Sequence, residues 1–139
     1  SIWKYAPFFE DPAAPDLLDG HIWRLSQQVA DRAKAKRLSG RTVTLKLKRG
    51  DFHLVSRRHA LTDPTQLTDR IYRAARDLFD HAGTRGPFRL IAVGISDLAP
   101  EDHADLSQDA RRRAAAERAT DAIRAKFGAD AIIKGRSLR

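Results

Sequence analysis

Arg41-Thr-Val-Thr-Leu-Lys-Leu-Lys48, continued through Gly50-Asp51 into Phe52-His-Leu-Val-Ser-Arg-Arg-His59, is written as two strands joined by a tight turn. In the first strand Val43, Leu45 and Leu47 share one face, and Thr44, Lys46 and Lys48 share the other, because side chains alternate sides along an extended chain. Such a strand belongs to a sheet with one dry face and one wet, cationic, hydroxyl-bearing face, a surface suited to phosphates. A two-residue Gly50-Asp51 turn would pair Arg49 with Phe52 and place His53, Arg57 and His59 on the wet face. A bulge would turn Arg58 to that face instead, so both arginines are candidates, with Arg57 favoured.

Helical periodicity flanks this hairpin. Between Asp16 and Leu38, Leu18, Ile22, Leu25, Val29 and Ala33 recur at steps of three and four, predicting an amphipathic helix closed by Ser39-Gly40. Asp63-Pro64-Thr65-Gln66 predicts the start of a second helix, with Asp63 as N-cap, Pro64 in the first turn, and Leu67, Ile71, Ala75, Leu78 and Ala82 as its apolar stripe. Phe88 to Ile95 is rich in branched aliphatics and reads as a covered strand; Ile91, Val93 and Ile95 are expected in the core, with Ala92, Gly94 and Ser96 outside. Small residues at Gly94 and Ser96 would let the backbone approach a phosphate closely. Ile2, Trp3, Tyr5, Phe8 and Phe9 favour a first strand, which Pro7 confines to an edge. An acidic loop and a helical pattern over Gln108 to Phe127 complete the order.

The predicted fold is α+β, a βαββαβ sandwich in which a four-stranded sheet carries two helices on one face and leaves a basic face open, followed by a C-terminal helical tail. The expected divisions are 1–98 as the sheet domain, 99–108 as an acidic linker and 109–139 as the tail. At 139 residues and 42% hydrophobic content the chain suffices for one cored domain. No stretch has the length and apolarity of a membrane span, so no membrane partner is expected; the absence of cysteine leaves the redox compartment open, with a cytoplasmic location as the default. Methionine is also absent, even from position 1, which is the expectation for a piece of a longer chain.

Charge is distributed unevenly. Arg32 to His59 holds Arg32, Lys34, Lys36, Arg37, Arg41, Lys46, Lys48, Arg49, Arg57 and Arg58 against Asp51, within a chain of net charge +8. Residues 94 to 108 hold Asp97, Glu101, Asp102 and Asp105 and no lysine or arginine. A polarised basic surface is the footprint of a polyanionic partner. Ligand spacing is absent among the histidines, and neither a glycine-rich phosphate loop nor a nucleophile elbow occurs, so neither a metal site nor a catalytic centre is expected. Trp3 and Trp23 are expected as core or interface pieces, and Arg111-Arg-Arg113 as a solvated helix face.

The strand Arg41 to Lys48, then Asp51-Phe52, Ser56-Arg57 and Arg89-Leu-Ile-Ala-Val-Gly-Ile-Ser-Asp-Leu98, resemble in order and spacing the little finger domain of Y-family translesion DNA polymerases of the DNA polymerase IV type. Glu117 to Gly128 resembles the C-terminal tail of bacterial members. The resemblance implies a domain that grips primer-template duplex DNA through its backbone, while a palm outside these residues performs nucleotidyl transfer with divalent metal, expected to be magnesium. No cofactor is expected in these residues themselves. The DNA-binding set it implies is Thr44, Lys46, Lys48, His53, Ser56, Arg57, Arg58, His59, Gly94 and Ser96.

Two stretches depart from the family pattern. Trp3, Tyr5 and Pro7 stand where small and acidic residues are usual. Where bacterial members carry a sliding-clamp peptide, His103-Ala-Asp-Leu-Ser107 keeps Leu106 but has His103 in place of glutamine and Ser107 in place of an aromatic anchor, so clamp binding is expected to be weak. Two other classes share this element order. An RNA-binding sheet module stacks bases on aromatics of its central strands, where this chain offers Thr, Lys and Gly; a protein-interaction domain would present its basic face to an acidic partner. Duplex binding with a log-log salt slope of about −4 to −5, for roughly five phosphate contacts, separates the DNA reading from both.

Overall fold

Val43, Leu45 and Leu47 are all buried, while Thr44, Lys46 and Lys48 between them are partly exposed, so this strand has the two faces its alternation predicts. The computed structural model describes residues 1–8 and 15–128; Phe9 of the first-strand candidates and the tail beyond Gly128 lie outside the described residues. The elements are β1 (Ile2–Pro7), α1 (Pro15–Ala35), β2 (Leu38–Arg49), β3 (Leu54–Thr65), α2 (Thr68–Asp80), β4 (Phe88–Pro100), a 3-10 turn (Glu101–His103) and α3 (Gln108–Phe127). The four strands form one sheet in the order β1-β4-β2-β3, antiparallel throughout.

Both α1 and α2 lie on the same face of this sheet. Leu18, Ile22, Leu25, Val29 and Ala33 of α1, with Ile71 and Ala75 of α2, pack into one core with Val43, Leu45, Leu47, Ile91, Val93 and Ile95. Each valine, leucine and isoleucine among them contributes about 1.5–3 kcal/mol by leaving water. Among the described residues no helix lies over the opposite face, since the two apolar helix stripes are both consumed by the dry one.

Two expected boundaries move. The first helix ends at Ala35, and Arg37, at φ 56°, makes the left-handed turn expected of Gly40. Gly40 lies inside β2 opposite Leu98, where an added Cβ would come within 2.7 Å of Ile95 Cβ, so it is needed for a close approach of strands. The second helix begins at Thr68, because Asp63-Pro64 remains in β3. Asp63 instead pairs with Arg70, and the helix start takes its cap from far along the chain. The Thr68 N–H donates to Glu117 Oε2 at 3.0 Å and the Asp69 N–H to Glu117 Oε1 at 3.4 Å. A long-range carboxylate thus serves the donors and positive helix end that a local Asp would have served.

Helix α3 starts where the periodicity places it, with Ser107 Oγ accepting the Ala110 N–H at 3.0 Å. It lies against the helical layer through charge. Lys34 of α1 reaches Glu117 at 2.5 Å and Asp121 at 2.7 Å, Arg124 reaches Asp31 at 2.9 Å, and Arg113 reaches Asp69 at 3.5 Å. Of its described residues Ala110 is the buried one. A cleft of about 260 Å³, lined by Trp23, Gln27, Thr68 and Ala116 among others, remains beneath it.

Candidate nucleic-acid interface

On the uncovered face the register of the central strands sets side chains in rows. Thr44 stands opposite Gly94, Lys46 opposite Ala92, Lys48 opposite Leu90 and Thr42 opposite Ser96. Ala92, Gly94 and Ser96 are therefore on the outer face and Ile91, Val93 and Ile95 in the core, as the alternation predicts.

β3 differs from expectation by one residue. Arg49 and His53 close the hairpin, with the Arg49 N–H donating to His53 O at 2.9 Å and the Phe52 N–H to Arg49 O at 2.9 Å. The loop thus has Gly50, Asp51 and Phe52 rather than two residues, and Phe52 sits at φ 67°. A one-residue change of loop length exchanges the faces of the whole following strand. Ser56 consequently stands opposite Lys46 and Arg58 opposite Thr44, both on the open face. Arg57 and His59 turn to the helical side, opposite Leu45 and Val43. Arg57 Nη2 there donates to the Ala82 carbonyl at 3.0 Å, beyond the end of α2, and His59 borders a cleft with Arg73 and Ala74. His53 belongs to the loop closure, its N–H donating to Asp51 Oδ1 at 3.1 Å.

Gly94 is also not the bare approach expected. Trp3, opposite it on β1, lies across it so closely that an added Cβ would come within 2.4 Å of the indole Cδ2. The glycine accommodates an aromatic ring, and the ring shields its backbone. Lys46 Nζ in turn lies 4.7 Å from the Trp3 ring centroid, a cation-π contact. The alternation Trp3, Tyr5, Pro7 against Ile2, Lys4, Ala6 was the available signal for this edge strand.

The open face is graded along its length. Lys46, Lys48 and Arg58 lie toward the β2–β3 loop, while at the far end Thr42 Oγ1 donates to Asp97 Oδ2 at 2.9 Å. Ammonium, guanidinium and hydroxyl donors on this face suit anionic oxygens and carry no pattern for reading base edges. Among the described residues, no group of three His, Asp or Glu side chains is arranged to hold a metal ion. Nor is any helix there long and apolar enough to cross a membrane.

The candidate clamp segment is pinned down. Asp105, 4% exposed at its side chain, accepts from Thr65 Oγ1 at 2.7 Å, from the Gln66 N–H at 3.1 Å and from Arg70 Nη1 at 2.8 Å. His103 lies in the 3-10 turn, and Leu106, 52% exposed, projects between the buried Asp105 and the helix cap Ser107.

The model of the impB/mucB/samB family C-terminal domain matches residues 4–108, which is most of the chain and includes the whole of the sheet from Lys4 onward. The chain belongs to the impB/mucB/samB family. Within the curated relatives of this family domain, the chain is 47% identical over 141 residues to DNA polymerase IV of Brucella melitensis, covering 97% of this chain and 31% of that protein. It is 42% identical over 139 residues to DNA polymerase IV 1 of Mesorhizobium japonicum, covering 97% and 32%. The chain thus spans about a third of the length of these curated relatives. The impB/mucB/samB domain described here also shares its fold with the little finger domain of PolIV, solved in a complex with the beta-clamp processivity factor, at a TM-score of 0.57 and 23% identity over 77% of this chain and 96% of that one. DinB from Sulfolobus solfataricus matches at a TM-score of 0.52 and 16% identity, over 68% of this chain and 28% of that one.

Proposed function

We propose that this domain grips the backbone of primer-template duplex DNA on its open sheet face, as the C-terminal part of a Y-family polymerase that copies past lesions. The observation that carries this reading is the gathering of Thr44, Lys46, Lys48, Ser56 and Arg58 on one face that no helix among the described residues covers. Phosphate contacts of this kind fix the position of a duplex without selecting its sequence, which suits an enzyme that must translocate. Nucleotidyl transfer, with its magnesium, belongs to the palm of the parent protein, and the setting is cytoplasmic. The divisions follow as 1–98 for the grip, 99–108 for the segment bearing the clamp-motif position and 109–139 for the helical tail. The names of the curated relatives and of the PolIV little finger support this assignment.

Docking on a sliding clamp through residues 103–107 is weak in this reading, since extended binding would pull the Asp105 carboxylate from its three partners. A submicromolar clamp affinity that vanishes in Leu106→Ala would overturn that.

The central test is fluorescence anisotropy of a primer-template duplex titrated at two salt concentrations. Three face cations predict a log-log salt slope of about −3. The variant carrying Lys46→Ala, Lys48→Ala and Arg58→Ala is expected to lose most of the binding and of the slope. Binding that survives in it unchanged would place the interface elsewhere.

A further inference from the structure

We infer that the tip of the β2–β3 hairpin is a second phosphate grip, in which Phe52 holds the cationic groups of Lys48 and Arg89 together for one stretch of DNA backbone. The inference rests on the duplex-binding reading of the open face and adds to it a binding residue, Arg89, and a positioning residue, Phe52.

Phe52 is an unusual occupant of its position. The three-residue loop requires its last residue near φ 67°, a conformation that glycine adopts freely and that bulky side chains avoid. The ring is not there to be buried, since the residue is 62% exposed. What it does touch is charge: Arg89 Cζ lies 4.6 Å and Lys48 Nζ 5.5 Å from the ring centroid. These two cations come from different strands. The β2–β4 register shifts between Lys48 and Arg49, beside Arg89, and the loop is tied to the start of β4 by the Gly50 N–H donating to Pro87 O at 3.0 Å.

Two like charges beside one exposed ring repel each other unless an anion joins them. No carboxylate does so among the described residues; Asp51, the acid of the loop, is turned to Arg49 at 3.6 Å and to the His53 N–H. Attraction to the ring instead holds both cationic groups beside it before any ligand arrives, which lowers the ordering cost of binding an anion there. A phosphodiester of a duplex lying on the adjacent Lys46 and Arg58 suits this pair of cations in chemistry and in location.

The test uses the 139-residue chain, a primer-template duplex and thermal unfolding. Arg89→Gln is expected to weaken binding several-fold and to reduce the salt slope by about one, the signature of one lost phosphate contact. Phe52→Gly is expected to weaken binding about 2–5-fold while the melting temperature stays level or rises, because glycine relieves the positive φ. Phe52→Tyr, which keeps the ring, should bind as the parent does. Wild-type binding by both Arg89→Gln and Phe52→Gly would overturn the grip, as would a loss in Phe52→Gly accompanied by a fall in melting temperature. The double variant Lys46→Ala, Arg58→Ala lies outside the grip and separates the two levels: if it binds like the parent, the open-face reading itself fails. If it loses binding while the tip variants do not, only the grip fails.

Discussion

Arg57 and Arg58 are chemically identical neighbours on opposite faces of the sheet. Arg58 faces the proposed duplex, and Arg57 hydrogen-bonds the Ala82 carbonyl beyond α2. Arg58→Ala should therefore weaken duplex binding and lower the salt slope by about one, with little change in stability. Arg57→Ala should leave binding intact and cost about 1 kcal/mol of stability; paired anisotropy and urea titrations distinguish them. Gly94 makes a second residue-scale case. Gly94→Ala places a methyl inside the Trp3 ring system, at 2.4 Å from Cδ2, so it should cost about 1–3 kcal/mol and displace the indole. Trp3 emission, read in a Trp23→Phe background, should shift to the red.

At the scale of elements, α3 is the weakly held piece, because its attachment is ionic. Burial works against the charge on Asp121, but hydrogen bonds from Lys34 and Arg124 outweigh it and hold its pKa below the ordinary 3.8. A carboxyl lowered in this way stabilises the folded form above its unfolded value, and the contribution is lost as pH falls through the lowered one. Lys34 is the mirror case: burial opposes its charge, hydrogen bonds to Asp121 and Glu117 outweigh it, and its pKa is raised above 10.5. Its contribution holds below that value and fades as pH climbs through the raised one. Docking of α3 should thus persist at neutral pH and fail as pH falls below the ordinary carboxylate range and through the lowered value of Asp121. Amide NMR shifts of residues 108–127 would then move toward unpacked values while those of β2 and β4 stay. Because the pairs are partly exposed, 1 M salt should loosen α3 in the same way, and Lys34→Ala should lower the salt needed.

For the whole molecule, polarity of charge is the governing property. The cations of the open face lie toward the hairpin tip, and the acids of residues 97–105 follow the far ends of β4 and β2. A duplex should therefore approach from the tip side, and its affinity should drop about 60-fold between 50 and 200 mM salt for a slope near −3. A single-stranded RNA of equal length should bind less well, because the rings on this face stand at its margins rather than on its central strands. A stronger affinity for the RNA in the same titration would favour the RNA-binding class.

The order of elements, the helix-covered and open faces of β2 and β4, and the core itself were legible in the sequence. Each depends on periodicity within one segment: Val43, Leu45 and Leu47 must leave water together wherever the strand is placed. Three things were decided only by tertiary structure. The facing of β3 turned on one residue of loop length, settled by Phe52 accepting a left-handed conformation that composition does not announce. The cap of α2 came from Glu117, a residue 49 positions beyond Thr68, and no local motif can specify so distant an acceptor. Gly94 looked open until Trp3, from the other end of the chain, was laid across it. A pattern local to one strand survives any arrangement of its neighbours, whereas the partner of a side chain exists only once the chain has closed on itself.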